Sequence, residues 1–137
     1  MSDRSDLTVG LVVPIVDKDG VVIDSVQASL TDSDLATLSD RIVTRVREHG
    51  GRGVLIDVSG VDVLDSYAVY TLTKVAEMVR RYGTRTVIVG IHPDVASAMA
   101  QAGLTLSHIN TAPNLEEGVE ALQSKREALG DSPPAGS

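Results

Sequence analysis

The sequence predicts a single α/β domain: a mostly parallel sheet with crossover helices and an antiparallel strand at one edge. Three observations predict it. The apolar period switches repeatedly between the strand and helix repeats. Two short apolar runs, Val54–Val58 and Thr86–Ile91, are continuous, as in strands buried on both faces. The length of 137 residues suits one domain of about 100–150 residues.

Taken in order, residues 1–8 are polar and expected to be a flexible N-terminus, with the domain spanning 9–129. Leu11–Val16 is β-branched and strand-like, and Asp19-Gly20 signals a hairpin into a second strand, Val21 to Ala28. From Asp32 the period becomes helical. Asp32 or Ser33 is placed to cap, and Leu35, Leu38, Ile42, Val43 and Val46 share one face until His49-Gly50-Gly51 ends the helix. Val54–Val58 is the central strand. Ser66 to Tyr82 forms the next helix, with Val69, Leu72, Val75, Ala76 and Val79 inward and Gly83 closing it. Thr86–Ile91 is a further strand, and Pro93 opens a helix through Gln101, stopped by Gly103. Leu104–Ile109 reads as a short edge strand, and Asn114 caps a last helix from Leu115 to Leu129. Residues 130–137 hold Gly, Pro and Ser and read as a disordered tail.

Composition narrows the chemistry. Twelve basic against nineteen acidic residues leave a net charge of −7, which opposes nucleic acid and anionic membrane as partners. Aromatics are only 2%, without Phe or Trp, so there is no stacking platform for single strands. With no Cys, thiolate chemistry and zinc ribbons are excluded. The acidic N-terminus is no signal peptide and no apolar run is long enough to span a membrane, so a cytoplasmic protein is expected. His49, His92 and His108 lack metal-ligand spacing and read as surface residues. Gly50-Gly51-Arg52-Gly53 runs from helix to strand, the reverse of a phosphate loop, and reads as a turn. Asp57 lies where a phospho-receiver aspartate could lie. However, Asp17 and Asp19 flank Lys18 in a hairpin, and Leu104 to Asn114 contains no lysine, so that reading fails. No nucleophile–base pair can be assembled, so no enzyme is predicted, and no cofactor or metal.

The segment that stands out is Ile56-Asp57-Val58-Ser59-Gly60-Val61-Asp62-Val63-Leu64-Asp65-Ser66-Tyr67. Here a buried strand leads through a short acidic loop to a serine at a helix mouth. Ser66 reads first as an N-cap, and the same exposed hydroxyl is also placed to be a phosphate acceptor, since a helix N-terminus stabilises a dianion. Asp57, Asp62 and Asp65 would crowd that charge, so that modification would switch a binding surface off.

LIDVSGVDVLDSY, VIVGIHPDVASAMAQAGL and TAPNLEEGVEAL together resemble the STAS domain family over roughly residues 8–125. The aspartate–serine pair after the strand is general to that family. The run Gly90-Ile91-His92-Pro93-Asp94-Val95-Ala96 resembles the stressosome branch, the RsbS-type scaffolds, more sharply. Tyr67-Ala68 after Ser66 departs from the glycine-containing motif of simple anti-sigma antagonists, and His92 stands where glutamine or arginine is usual. The resemblance implies a non-catalytic stress-signalling scaffold. It would act with RsbR-like STAS paralogues, as a homo-oligomer or within a large complex, and sequester a GHKL-type, RsbT-like serine kinase. Phosphorylation at Ser66 would release that kinase, and a PPM-type phosphatase would reset the state. Asp62, Asp65, Ser66 and Tyr67 would form the partner-binding set. Ser33, near a second acceptor position in RsbR-like relatives, is read as a helix cap. The alternative is an anti-sigma factor antagonist, a partner switch without a large assembly.

Overall fold

The computed structural model describes residues 15–16, 20–28, 31–106 and 109–131. Along the chain these form β1 (Ile15–Val16), β2 (Val21–Ala28), α1 (Asp32–His49), β3 (Gly53–Val61), α2 (Ser66–Arg80), β4 (Thr86–Val89), α3 (Pro93–Gln101), β5 (Asn110–Ala112) and α4 (Leu115–Asp131). The predicted residues 1–8, the hairpin Asp17-Lys18-Asp19, His108 and the tail beyond Asp131 lie outside the described residues.

One five-stranded sheet takes the order β1-β2-β3-β4-β5. β1 is antiparallel to β2 at the edge, and β2 through β5 are parallel, as expected for this α/β class. Each parallel step moves to the next strand in the same direction. Right-handed crossovers then place α1, α2 and α3 on one face, and α4 packs on the other. The two cores reflect this. Val22, Leu35, Leu38, Ile42, Ile56, Leu72, Val79, Ile88 and Met99 fill the three-helix side, and Val21, Leu55, Val87, Val89 and Leu122 fill the α4 side. The inward stripes predicted for α1 and α2 are the buried ones.

On the α4 side the helix approaches the sheet closely because two glycines allow it. A Cβ on Gly118 would lie 2.6 Å from Val89 Cγ1, and one on Gly53 would lie 2.6 Å from Leu122 Cδ1. Asn114 Oδ1 accepts from the Glu117 N–H at 2.8 Å, the predicted cap of α4. Gly50, at φ 73°, ends α1, so the glycine cluster is a helix-to-strand turn.

Two expectations are corrected. Leu104–Ile109 is not the edge strand: Leu104 and Leu106 pack against the three-helix core, Ile109 is buried there, and pairing with β4 falls on Asn110–Ala112. The cap of α1 is neither Asp32 nor Ser33. Thr31 Oγ1 accepts from the Asp34 N–H and Asp34 Oδ2 accepts from the Thr31 N–H, both at 3.0 Å, a reciprocal capping box. Ser33 is exposed within the first turn.

Candidate functional site

The site begins at an irregularity in β3. Register against β2 runs evenly to Ser25–Asp57, then resumes at Gln27–Gly60, so β3 carries one extra residue. The bulge reverses the alternation: Val54, Ile56 and Val58 face the three-helix core, and Val61, not residue 60, is the next to do so. Asp57 Oδ1 accepts the Ser59 N–H at 2.9 Å, satisfying a group that the bulge leaves out of the ladder. Asp57 thus has a local structural job, on the α4 face with Leu55. His92 Nε2 donates to the Ser59 carbonyl at 2.6 Å and ties the start of α3 to the same bulge.

Beyond the bulge, β3 delivers the chain to a loop whose only buried side chain is Leu64, while Asp62, Val63 and Asp65 face solvent. Asp65 is the N-cap of α2: its Oδ1 accepts the Ala68 N–H at 2.8 Å, and its carbonyl accepts the Val69 N–H. This corrects the reading of Ser66 as the cap. With Asp65 holding the orphan N–H, Ser66 becomes the first helical residue, exposed, and its hydroxyl has no hydrogen-bond partner among the described residues. Tyr67 is exposed one residue on, its ring centroid 6.5 Å from that of Tyr70.

The four residues predicted to act together, Asp62, Asp65, Ser66 and Tyr67, are therefore gathered on one loop and helix start. Ser33 is not among them; it lies at the start of the neighbouring crossover helix, beyond the end of β2. A groove of about 370 Å³ opens beside Ser66, floored by Leu64 and Val95 and walled by Asp62, Asp65, Ala98, Ala102 and Leu104. The α3 contribution was not foreseen from sequence, although Ala98 and Ala102, one turn apart, leave the room for it. A second depression of about 390 Å³ lies on the α4 face, lined by Asp57, Ser59, Gly90, Asn114 and Glu116.

A second unforeseen feature is the Asp24–Arg41 pair. Asp24 is fully buried on the three-helix face of β2, and Arg41 of α1 reaches it with Nε and Nη2 at 3.0 and 2.9 Å. Burial pushes the Asp24 carboxyl above its ordinary value, and the guanidinium opposes that rise. No group of three or more His, Asp or Glu side chains among the described residues could hold a metal ion, and no described helix is long and apolar enough to cross a membrane.

Known proteins resemble this chain in sequence and fold. RsbT co-antagonist protein RsbRA of Bacillus subtilis is 29% identical over 83 residues, covering 61% of this chain and 30% of that protein; the chain matches less than a third of that relative's length. The structure of RsbS from Moorella thermoacetica, in a serine-to-glutamate form, superposes with a TM-score of 0.71 at 26% identity, covering 84% of this chain and 97% of that one. A chain from the molecular architecture of the stressosome, described as a signal integration and transduction hub, matches with a TM-score of 0.56 at 27% identity over 82% of this chain and 98% of that one. The STAS domain family matches residues 13–118. A parallel sheet with one antiparallel edge, and a serine opening the helix after its central strand, are thus features of a chain that belongs to the STAS domain family.

Proposed function

We propose that this chain is a non-enzymatic, cytoplasmic stress-signalling scaffold of the RsbS type, which sequesters an RsbT-like GHKL serine kinase and releases it when Ser66 is phosphorylated. One observation carries the reading: Ser66 is exposed, its hydroxyl is unpartnered among the described residues, and it stands at the first position of α2 because Asp65 already performs the capping. A kinase can take that hydroxyl without dismantling the helix start.

The phosphate would add about −1.5 to −2 charges at neutral pH. Two local fields act on it in opposite senses. The α2 N-terminus favours the dianion by up to about 1 kcal/mol at an exposed position. Asp62 and Asp65 oppose it, and any partner surface matched to their two charges meets roughly twice the negative charge after transfer. The helix makes the modified state attainable, and the carboxylates make it incompatible with the docked kinase.

The relatives support the wider setting. RsbRA is by name an RsbT co-antagonist, and the stressosome chain comes from what is described as a signal integration and transduction hub. We accordingly assign RsbR-like paralogues as partners of this chain; a PPM-type phosphatase is assigned because a phosphorylation switch needs a reset. Ser33 is assigned no acceptor role: it is exposed in the first turn of α1 as Ser66 is in that of α2, but the resemblance to RsbS-type proteins implies a single acceptor, at Ser66.

The test is phosphoryl transfer from an RsbT-like kinase and ATP to wild type, Ser66→Ala and Ser33→Ala. Full labelling of Ser33→Ala and none of Ser66→Ala is expected; equal labelling of Ser66→Ala and wild type overturns the assignment. Light scattering of the chain mixed with an RsbR-like paralogue addresses the assembly. A large particle supports the scaffold, whereas small complexes alone point to the anti-sigma-antagonist partner switch.

A further inference from the structure

The charged side chains are sorted along the strand direction. At the end where the parallel strands finish, Asp34, Asp62, Asp65, Asp94, Glu116 and Glu117 stand at or just before the helix starts, with no lysine or arginine beside them among the described residues. At the opposite end, where the same strands begin, Arg47 and His49 close α1, Arg52 precedes β3, Arg80 and Arg81 close α2, and Arg85 precedes β4. Cations in a last helical turn complement the helix dipole, which accounts for Arg47 and Arg80. It does not account for Arg52 and Arg85, which stand in loops that enter strands. Asp17 and Asp19, in the segment between β1 and β2, lie outside the described residues.

Three turns are laced together at this basic end. The Arg52 N–H donates to the Gly20 carbonyl at 2.9 Å, Thr84 Oγ1 donates to the Gly51 carbonyl at 2.9 Å, and the Val54 N–H donates to the Arg85 carbonyl at 2.8 Å. The stem of Arg52 lies over Gly20, where a Cβ would come within 3.1 Å of its Cγ, and its charged head is left to solvent. Arg80 and Arg81 are exposed and Arg85 is half-buried. None of these four arginines forms an ion pair with a described carboxylate: Glu48 lies 3.9 Å from Arg47, and Glu77 lies 3.7 Å from Lys74. Tyr82, 50% exposed, stands between Arg81 and the turn at Gly83. Like charges gathered at one end repel one another, so the fold itself is not helped by gathering them.

We propose that this end of the molecule docks an acidic segment of a partner protein, with Arg52, Arg81 and Arg85 holding its carboxylates and the Tyr82 ring covering its apolar flank. Arginine presents a planar fork that takes a carboxylate bidentately. Arginine with tyrosine is also the composition that marks protein interfaces off from the rest of a surface. A nucleic acid or an anionic membrane extends past the patch and meets the field of a chain whose net charge is −7, whereas a short acidic segment stays within the patch. The surface is separate from the Ser66 site. Arg81 lies about 22 Å along α2 from Ser66, well beyond the screening length of about 8 Å at physiological salt. One chain can therefore hold a partner at each end, and the docking does not rest on the kinase reading.

The test is fluorescence anisotropy of a fluorescein-labelled oligoglutamate peptide titrated with the full chain. Wild type should bind it saturably. Arg52→Glu combined with Arg81→Glu, both at exposed positions, should weaken binding about tenfold or more while leaving the circular dichroism unchanged. Replacing Arg52, Arg81 and Arg85 together by lysine keeps the charge but removes the forks, and should weaken binding several-fold. Ser66→Glu should bind within about twofold of wild type, because its charge lies beyond the screening length. Absence of binding, equal binding by the doubly reversed or the lysine variant, or a larger shift on Ser66→Glu would each overturn the proposal. Tighter binding of a single-stranded oligonucleotide or of phosphatidylserine vesicles than of the peptide would overturn it as well. Phosphoryl transfer to Ser66 is a different measurement, so the two readings stand or fall separately.

Discussion

Replacing Arg41 by methionine tests what joins α1 to β2. The substitution keeps a flexible apolar stem but removes both donors to Asp24, at 2.9 and 3.0 Å, from a carboxylate with no exposed surface. Removing one partner of a buried ion pair costs about 3–5 kcal/mol, because the remaining charge is stranded. Arg41 itself is 21% exposed, so water reaches the vacated position and the loss should fall near the lower bound, about 3 kcal/mol at neutral pH. For a domain of this length that corresponds to about 10 °C in Tm. The pH dependence has a definite sign. Burial holds the Asp24 carboxyl above the ordinary value of 3.8, with Arg41 pulling it back. The folded state therefore keeps this proton to higher pH than the unfolded chain does. Stability from the group is fully present below the unfolded value and declines as pH rises through the folded one. Without Arg41 the folded value climbs further, and each added unit deepens the loss at neutral pH by about 1.4 kcal/mol. Urea unfolding followed by circular dichroism near pH 4 and pH 7 should show a smaller deficit at the lower pH. A deficit below about 1 kcal/mol, or one equal at both pH values, would refute the reasoning. Asp24→Leu combined with Arg41→Met should return to within about 1–2 kcal/mol of wild type, since no charge is then stranded.

Three further outcomes follow from packing and capping. Gly118→Ala, which in an exposed helix would stabilise by about 1 kcal/mol, should instead destabilise by about 1–3 kcal/mol, because its Cβ meets Val89 at 2.6 Å and Leu55 at 3.0 Å; a raised Tm would show that α4 can lift off without cost. Asp65→Ala should lower stability by about 1 kcal/mol through loss of the bond to the Ala68 N–H, while Asp65→Asn should differ by a few tenths, as read from thermal melts. Leu72→Ala, at a fully buried position between α2 and the sheet, should cost about 2–5 kcal/mol in urea unfolding; a loss below about 1 kcal/mol would contradict the packing described.

Much of the fold was legible because its signals are local. The α1 stripe from Leu35 to Val46, the Pro93 start and Gln101 end of α3, and the Asn114 cap each depend on residues within one or two turns. The edge strand was not legible. Leu104–Ile109 has the stronger strand composition, but Leu104, Leu106 and Ile109 serve the core behind α3, leaving the polar Asn110–Ala112 to pair with β4. An edge strand buries little, so composition does not select it. The site was legible as a cluster but not in its division of labour. Whether Asp65 or Ser66 caps α2 depends on where β3 ends, and a bulge sets that.

Sequence alone determined the order of strands and helices, the single-domain α/β class and the gathering of Asp62, Asp65, Ser66 and Tyr67 on one segment, since chain neighbours cannot be far apart. Tertiary structure alone decided that the Ser66 hydroxyl has no hydrogen-bond partner among the described residues, that α3 walls the groove beside it, and that Asp24 meets Arg41 seventeen residues away. Those facts depend on register and on which face of the sheet each crossover covers. Such non-local pairings are set by the packing of the whole sheet, and no short-range propensity encodes them.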